Sequence, residues 1–318
     1  VARKNKIVKQ LTGGVKQLLS GRQVDIYKGT ARLTSANRIA VAKSEGGGSE
    51  EVTADHIILA TGASAWNPPG WSLDGERVIG SKEALALTSQ PKRIAILGGG
   101  VIGCEFACFF AAIGTQTTII EMLPRLVMAE DEEISAALER EMKKQKIALH
   151  LGSKVEDRRD NADGSITLTL SGGKTLDVDT VLLATGRRPW SEGLGLDTVG
   201  ISRADRGKIA VNDKLQTSVP NIYAIGDVTD IKQLAHFASA QGKAAAEIIA
   251  GHAAQTNWRA VPAATFTSPE IASVGVTEAE AKAEGRTVKV GRFPFRAHGR
   301  NIADGETTGF VKIVGDAD

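Results

Sequence analysis

The sequence has little cysteine, little excess charge and no long apolar run, and each shortage excludes a class of protein. Two cysteines in 318 residues are too few for a disulfide scaffold and fit a reducing, cytoplasmic compartment. The 39 basic and 37 acidic residues are interspersed and leave a formal net charge of +2, so no basic stripe indicates a nucleic-acid partner. Because no apolar run could cross a bilayer and no signal peptide is visible, we predict no membrane association, and we predict no metal site.

The rest of the composition is ordinary, and its patterning predicts mixed secondary structure. The chain can hold two or more domains, and its 42% apolar and 24% charged residues are typical of a globular protein. Helical spacing of apolar residues predicts a helix over residues 3–20, although Gly13 and Gly14 weaken its middle. A helix over residues 130–146 has acids at its start and lysines at its end, and residues 147–185 predict a meander. Further strands are predicted in "QVDIYKGTARLT", "RIAVAK", "HIILATG", "TVLLATG", "NIYAIGD", "AATFTS", "TVKVGRFPF" and "GFVKIVGD", and a helix in "LAHFASAQGKAAAEIIAG".

The strongest local signal is the stretch "RIAILGGGVIGCEFACFFAAIGTQTTIIE", which predicts a βαβ unit. Gly98, Gly100 and Gly103 form G-x-G-x-x-G directly after its first strand. The first glycine permits a tight turn, the second lets the backbone approach a diphosphate, and the third allows close helix–strand packing. Glu121 ends the second strand, where a carboxylate accepts hydrogen bonds from ribose hydroxyls and repels a 2′-phosphate. The motif therefore predicts NAD rather than NADP, and the alternative is a structural turn with a solvated glutamate.

The two cysteines lie four residues apart on the predicted helix of this unit. Side chains at that spacing have Cβ atoms about 5–6 Å apart, whereas a disulfide requires about 3.5–4.5 Å. Cys104 and Cys108 are also surrounded in sequence by Phe106, Phe109 and Phe110, where buried cysteine acts as a small hydrophobe. We therefore predict that both are packing residues, the alternative being a redox pair.

Several segments resemble, in order, motifs of the flavin-dependent pyridine nucleotide–disulfide oxidoreductases. They are "ILATGAS", "ILGGGVIGCE", "VLLATGRRPW", "VPNIYAIGDV", "LAHFASAQG" and "FTSPEIASVGVTEAEA". The segments "GRRPWSEGLGLDTVGI" and "RFPFRAHGRNIADGETTGFVKI" look most like the dihydrolipoyl dehydrogenases of that family. The resemblance covers nearly the whole chain and implies FAD and NAD as cofactors. It also implies an enzyme that passes electrons from dihydrolipoyl groups through a disulfide and FAD to NAD.

Other parts of the family pattern are absent from this sequence. The family's N-terminal glycine-rich turn for FAD and its Cys-x4-Cys disulfide have no counterpart, and the interface domain with its His–Glu pair is only begun after about Trp258. The sequence also begins at Val1 rather than at Met. We therefore expect a piece of a longer enzyme that is inactive by itself, and we assign no catalytic residue.

The resemblance implies one group of residues at FAD. Asp227 matches an aspartate that binds the ribityl chain, as a carboxylate at a strand end can, although a turn or a helix cap would explain it structurally. The helix start near His236 resembles one whose amides stabilise negative charge on reduced flavin, and we do not assign His236 as a base. The full set is Ala31, Thr61, Gly62, Ala63, Asp227, Gln233, Leu234, Ala235 and His236.

A second group is implied at NAD. Glu105 resembles a glutamate that lies beside the nicotinamide and pairs with a lysine near the flavin, while a carboxylate favoured by the helix dipole is an equal alternative. Val101 stands where glutathione reductase-like members carry a gating tyrosine, which together with Glu121 counts against an NADPH-dependent glutathione reductase. The full set is Gly98, Gly99, Gly100, Val101, Ile102, Gly103, Glu105, Glu121, Val155 and Gly186.

We therefore predict an α/β fold with an FAD/NAD(P)-binding, Rossmann-like two-domain architecture and the start of an α+β dimerisation domain. The expected domains are a partial FAD-binding domain (1–90), an NAD-binding domain (91–215), the continuation of the FAD-binding domain (216–256) and a truncated interface domain (257–318). The resemblance implies a homodimer and, as partners, lipoyl-bearing subunits of 2-oxoacid dehydrogenase or glycine cleavage complexes. A soluble transhydrogenase, a mercuric reductase-like flavoenzyme and a non-catalytic NAD-binding module stay open as alternatives.

Overall fold

The computed structural model describes residues 1–254 and 258–317. Its helices are α1 (Ala2–Gly21), α2 (Ser81–Ala84), α3 (Val101–Ala112), α4 (Glu132–Lys144), α5 (Ala235–Ile249), α6 (Glu278–Ala283) and α7 (Gly299–Asp304). Short 3-10 helices cover Asp197–Val199, Asp205–Gly207, Gly226–Thr229 and Phe295–Ala297. The strands are β1 (Gly29–Ser35), β2 (Arg38–Lys43), β3 (Ser49–Thr53), β4 (Ile57–Leu59), β5 (Ala63–Ala65), β6 (Val78–Ile79), β7 (Arg93–Leu97), β8 (Gln116–Glu121), β9 (Ala148–Leu151), β10 (Val155–Asp160), β11 (Ile166–Leu170), β12 (Thr175–Val178), β13 (Thr180–Leu183), β14 (Arg187–Pro189), β15 (Ile222–Ala224), β16 (Ala263–Thr265), β17 (Ile271–Ser273), β18 (Val288–Pro294) and β19 (Phe310–Asp316).

Contacts between Cα atoms divide the chain into two units, and the first contains Val1–Trp66 and Arg187–Asn257. Strands β1, β2 and β3 form an antiparallel sheet, β4 pairs in parallel with β15, and β5 pairs antiparallel with β14. The strands β4 and β15 are short and apolar, and most of their side chains are buried in the core of this unit. That core contains Leu33, Ile57, Leu59, Leu194, Leu196, Ile201, Ile209, Ile222, Ala224 and Val228.

The second unit contains Asn67–Gly186 and Trp258–Asp318. Its central sheet has the order β6-β13-β7-β8-β9, and every pair of neighbours in it is parallel. The runs "RIAIL" and "TVLL" are apolar throughout because both faces of a parallel sheet are covered. Strands β10, β11 and β12 form an antiparallel meander, and the pairs β16–β17 and β18–β19 are antiparallel.

Most of the predicted elements are present. The helix expected over residues 3–20 is α1, and Gly13 and Gly14 do not interrupt it. The helix expected over residues 130–146 is α4, whose N-cap Asp131 accepts a hydrogen bond from the Glu133 amide at 3.0 Å. The prediction for "QVDIYKGTARLT" was half wrong: the strand begins at Gly29 because the preceding residues pair with no strand of the described chain.

Two further outcomes concern domain boundaries and membrane spans. The predicted domain boundaries remain predictions, and the one between residues 256 and 257 lies outside the described residues. Among the helices of residues 1–254 and 258–317, none combines the length and the apolar character needed to cross a membrane.

Candidate functional site

The glycine-rich turn of the second unit connects β7 to α3. The three glycines of its G-x-G-x-x-G motif differ in the space that a side chain would meet. Gly98 has φ +110°, and a Cβ atom there would lie 2.3 Å from the Ala184 carbonyl oxygen. A Cβ atom on Gly103 would lie 1.9 Å from the Gly98 carbonyl oxygen. Gly100, the N-cap of α3 with φ −75°, faces open space: no described atom lies within 4 Å of a Cβ atom placed there. The turn therefore leaves room for a ligand at Gly100, at a helix N-terminus that attracts anions.

Glu121, at the end of β8, lies against this turn. Its Oε2 accepts a hydrogen bond from the Gly99 amide at 2.5 Å, and its Oε1 accepts one from the Leu123 amide at 2.7 Å. A carboxylate can accept about four hydrogen bonds, so Glu121 keeps acceptor capacity for ribose hydroxyls. The structure thus brings the predicted ribose acid and the predicted diphosphate turn together.

The remaining residues predicted at NAD lie in different surroundings. Gly186 has φ +118° and follows β13, whose neighbour is β7, so it lies at the same carboxyl edge of the sheet as the turn. Val101 is 40% exposed at the start of α3, and Ile102 is half-buried beside it. Val155 begins β10 and packs against the apolar core of the meander.

Glu105 has a partner that the sequence did not indicate. Its Oε1 accepts a hydrogen bond from the Phe266 amide at 2.8 Å, and the two residues are 161 positions apart. The carboxylate therefore ties the N-terminal half of α3 to the segment that follows β16. Neither interpretation of Glu105 in the sequence analysis included this contact.

The packing role predicted for the two cysteines is confirmed. Cys104 and Cys108 are both buried and free, and the Cys104 thiol donates to the Gly99 carbonyl oxygen at 3.3 Å. Burial raises the pKa of the Cys104 thiol far above its ordinary value, and burial also raises the pKa of Cys108. Because the thiolate is the reactive species, this environment keeps both sulfur atoms inert.

In the first unit, the residues predicted at FAD form a second group around the ends of β4 and β15. The Thr61 hydroxyl donates to the Trp190 carbonyl oxygen at 2.6 Å, and the Trp190 amide donates to the Gly62 carbonyl oxygen at 2.9 Å. Asp227 lies in the 3-10 helix Gly226–Thr229 that follows β15. Since β4 and β15 are parallel neighbours, Thr61 and Asp227 both lie beyond the carboxyl ends of these strands, at the same edge of the sheet.

Arg187 joins the two halves of this second group. Its Nη2 donates a hydrogen bond to the Ala63 carbonyl oxygen, and its Nε lies 3.8 Å from Oδ2 of Asp227. Arg206 donates to the Arg187 carbonyl oxygen at 2.8 Å and lies 3.5 Å from Asp230. The arginines were missed in the sequence analysis, although "ATGRRPW" was one of the quoted motifs and Arg187 lies within it.

The other residues predicted at FAD lie near the start of α5, except for one. Gln233 donates to Oδ1 of Asp230 at 3.0 Å, Leu234 is the N-cap of α5, and Ala235 begins that helix. His236 is exposed in its first turn. Ala31 lies instead on β1, where it pairs with Val41.

A glutamine that was also missed supports the turn before Asp227. The Gln241 side chain is completely buried, and its Oε1 accepts a hydrogen bond from the Gly226 amide at 2.7 Å. Gly226 has φ +71°, and a Cβ atom there would lie 3.2 Å from that of Ala238. The Gln241 and Ala238 side chains of α5 therefore support the turn that precedes Asp227.

The chain resembles known proteins along nearly its whole length. The dihydrolipoyl dehydrogenase of Bacillus subtilis is 39% identical over 314 residues, which are 98% of this chain and 66% of that protein. Dihydrolipoyl dehydrogenase 3 of Pseudomonas putida is 40% identical over 319 residues, which are 99% of this chain and 68% of that protein. This chain thus spans about two thirds of the length of these relatives.

Solved structures show the same fold. LpdA from Mycobacterium tuberculosis is 26% identical with a TM-score of 0.93, and the match covers 100% of this chain and 70% of that chain. The HOCl-induced flavoprotein disulfide reductase RclA from Escherichia coli is 28% identical with a TM-score of 0.89, covering 99% and 72%. The predicted fold class is confirmed.

Two family models match the chain. The model for the pyridine nucleotide-disulphide oxidoreductases matches residues 1–242, and the model for their dimerisation domain matches residues 261–318. The chain therefore belongs to the pyridine nucleotide-disulphide oxidoreductases, a family of flavoprotein enzymes that use FAD and NAD.

Proposed function

We propose that this chain serves a flavin-dependent oxidoreductase that passes electrons from dihydrolipoyl groups through a disulfide and FAD to NAD. The observation that carries the nucleotide half of this proposal is the Glu121 carboxylate, held on the Gly99 amide beside the open space at Gly100. The names of the relatives from Bacillus subtilis and Pseudomonas putida support the choice of dihydrolipoyl groups.

The residues of the chain fit both cofactors by their chemistry. At the nucleotide turn, the N–H groups of the first turn of α3 are available to a diphosphate, since the first amides of a helix have no intrahelical acceptor. In the first unit, the Asp227 carboxylate would accept hydrogen bonds from the ribityl hydroxyls of FAD, and the Arg187 guanidinium, 3.8 Å away, balances its charge. Bound FAD supplies the two-electron chemistry that links thiols to a pyridine nucleotide.

We expect NADH to bind this chain more tightly than NADPH, by about tenfold or more. The Glu121 carboxylate accepts hydrogen bonds from ribose hydroxyls but repels a 2′-phosphate, and Glu121→Ser should therefore narrow the difference. Fluorescence titration of both nucleotides with the wild type and the variant measures it. The matched control is Glu132→Ser, which removes an exposed acid from the first turn of α4. Equal or tighter binding of NADPH by the wild type would show the prediction to be wrong.

We expect the purified 318-residue chain to show no oxidation of dihydrolipoamide by NAD. Its two cysteines are buried with raised thiol pKa values, so no thiolate is available for exchange with the substrate. A steady-state assay with added FAD measures this, and the double variant C104A/C108S is the control. Turnover that scales with wild-type chain and disappears in the double variant would contradict the prediction.

A second candidate is electron transfer between pyridine nucleotides by a soluble transhydrogenase, which has no redox disulfide. The burial of both cysteines is compatible with it, because that reaction needs no thiol. The coding sequence upstream of Val1 separates these two candidates, since the dihydrolipoyl reaction requires a Cys-x4-Cys pair there and the transhydrogenase reaction does not. A mercuric reductase-like enzyme would also require that pair, and a non-catalytic NAD-binding module would have a start codon directly before Val1.

We also propose a homodimer, a cytoplasmic location and lipoyl-bearing subunits as partners. The match of residues 261–318 to a dimerisation domain supports the homodimer. The small number of cysteines supports a reducing compartment. The proposal of lipoyl-bearing partners depends on the dihydrolipoyl reaction, and it fails if that reaction is excluded.

A further inference from the structure

Arg125 is the one cation in the sequence of the β8–α4 loop, which covers residues 122–131. Its guanidinium turns back into that loop instead of facing outward. Nη1 donates to the Glu130 carbonyl oxygen at 2.8 Å and to the Ser135 hydroxyl at 2.6 Å, and Nη2 donates to the Met128 carbonyl oxygen at 2.9 Å. The completely buried Ser135 in turn donates to the Leu126 carbonyl oxygen at 2.8 Å. Arg125 therefore connects the first half of the loop to its second half and to the start of α4.

The β8–α4 loop also holds the nucleotide turn. The Val127 amide donates to the Gly99 carbonyl oxygen at 2.8 Å, and Glu121 accepts from the Gly99 amide, so both backbone groups of Gly99 are fixed from one side. Leu126 is completely buried, and its Cδ2 would lie 2.7 Å from a Cβ atom on Gly99. The loop and the turn are therefore in direct contact at Gly99.

Val127 shows that this arrangement is strained. It has φ +40°, in a region that β-branched residues rarely adopt. Such a conformation persists only where the surrounding contacts over-determine it. The contacts that do so here are the bond from Val127 to Gly99 on one side and the Arg125 hydrogen bonds on the other.

We propose that Arg125 is a positioning residue for the pyridine nucleotide. By closing the β8–α4 loop it holds Val127 against Gly99 and so sets the shape of the diphosphate turn. Because its guanidinium is committed to Met128, Glu130 and Ser135, it does not reach a 2′-phosphate, and Glu121, which ends β8 directly before the loop, is left as the charged side chain for the ribose. The proposal rests on the proposed binding of NAD.

The test compares the wild type with Arg125→Met and Arg125→Lys, and uses Arg158→Met as the matched control. Arg158 is another half-buried arginine of the second unit, paired with Asp160 at 3.0 Å on β10. Titrations with NADH and NADPH, thermal unfolding, and hydrogen exchange of the peptide that contains Gly98–Gly103 are measured for each protein. We expect Arg125→Met to weaken NADH binding about tenfold and to accelerate exchange in the turn. Arg158→Met should change neither, and Arg125→Lys should restore part of both.

Different results would overturn the proposal in different ways. A selective loss of NADPH binding in Arg125→Met would show that the guanidinium contacts the 2′-phosphate directly. Unchanged exchange and unchanged NADH binding would show that Arg125 does not position the turn. If the wild type binds neither nucleotide, the proposed function fails, and the exchange of the turn, which needs no nucleotide, still decides whether Arg125 holds it.

Discussion

Replacing Gly103 by alanine is expected to lower the free energy of unfolding of the second unit by about 3 kcal/mol. The new methyl carbon would lie 1.9 Å from the Gly98 carbonyl oxygen, and a backbone atom cannot move aside as a flexible side chain can. The turn and the start of α3 must therefore separate. Urea denaturation followed by circular dichroism measures the loss.

Replacing Gly100 by alanine should instead have a small effect on stability and a large effect on NADH affinity. Its methyl carbon would meet open space among the described residues, and its φ of −75° suits alanine. The cost is that of a poorer N-cap, about 1 kcal/mol. The methyl group would, however, occupy the space where the backbone approaches a diphosphate, so NADH affinity should fall by about tenfold or more.

The two variants act as controls for each other. If the turn is only structural, Gly100→Ala should keep its small N-cap cost in stability and leave NADH affinity unchanged. If Gly100→Ala binds NADH as tightly as the wild type, the turn is not the diphosphate site. If Gly103→Ala is as stable as the wild type, close packing of α3 on β7 is not what that glycine provides.

The turn could be predicted from the sequence because its determinants are local. Gly98, Gly100 and Gly103 lie within one strand–turn–helix unit, and Glu121 ends the next strand of the same unit. Parallel pairing of β7 with β8 then brings Glu121 to Gly99 without any distant contact. The burial of Cys104 and Cys108 follows from the same helix, so it could be predicted as well.

What could not be predicted depends on residues far apart in the chain. The Phe266 amide, which binds Glu105, is 161 positions away, and Arg187 and Ala63 are 124 positions apart. Single-sequence patterns carry no record of such pairs. The segment 23–28 has strand-forming side chains, but it pairs with no strand of the described chain, since strand formation depends on a neighbour and not on composition alone.

A cluster of charges in the second unit belongs to the same class of unpredicted contacts. The Lys312 Nζ on β19 lies 2.9 Å from Asp131, 2.7 Å from Glu133 and 2.8 Å from Glu278. Arg292 on β18 completes the cluster with two hydrogen bonds to Glu133, of 2.6 and 2.8 Å. The Lys312 side chain is only 8% exposed. This lysine therefore connects the start of α4 with α6 and with the β18–β19 hairpin.

Replacing Lys312 by methionine is expected to lower the free energy of unfolding at pH 7 by about 3 kcal/mol. Methionine keeps the length of the side chain but leaves three carboxylates facing one another with Arg292 as their remaining shared cation. This expected loss lies at the low end of the range for breaking a buried ion pair, because the carboxylates reach solvent. The side chains of Asp131, Glu133 and Glu278 are 15%, 39% and 20% exposed. Urea denaturation at pH 7 measures this loss, and Lys289→Met on the same hairpin is the matched control, since Lys289 is exposed and donates to the Ala317 carbonyl oxygen at 2.9 Å.

The effect should depend on pH in a defined direction. The pKa of Glu133 falls from its ordinary 4.5 to about 2, through hydrogen bonds from Arg292 and then Lys312. The pKa of Glu278 falls from 4.5 to about 2, through Lys282 and then Lys312. Acids with lowered pKa values stabilise the folded state fully above their ordinary pKa and lose that contribution as the pH falls toward the lowered value. The difference between wild type and Lys312→Met should therefore shrink as the pH falls from 4.5 toward 2.

Two outcomes would contradict this account of the cluster. If Lys312→Met is no less stable than Lys289→Met at pH 7, the attraction within the cluster only balances the penalty for removing its charges from water. If the loss is large but independent of pH between 4.5 and 2, the lysine acts through the packing of its apolar stem rather than through its charge. The predicted combination, a large loss at pH 7 that diminishes in acid, requires the ion pairs themselves to fasten the hairpin to α4.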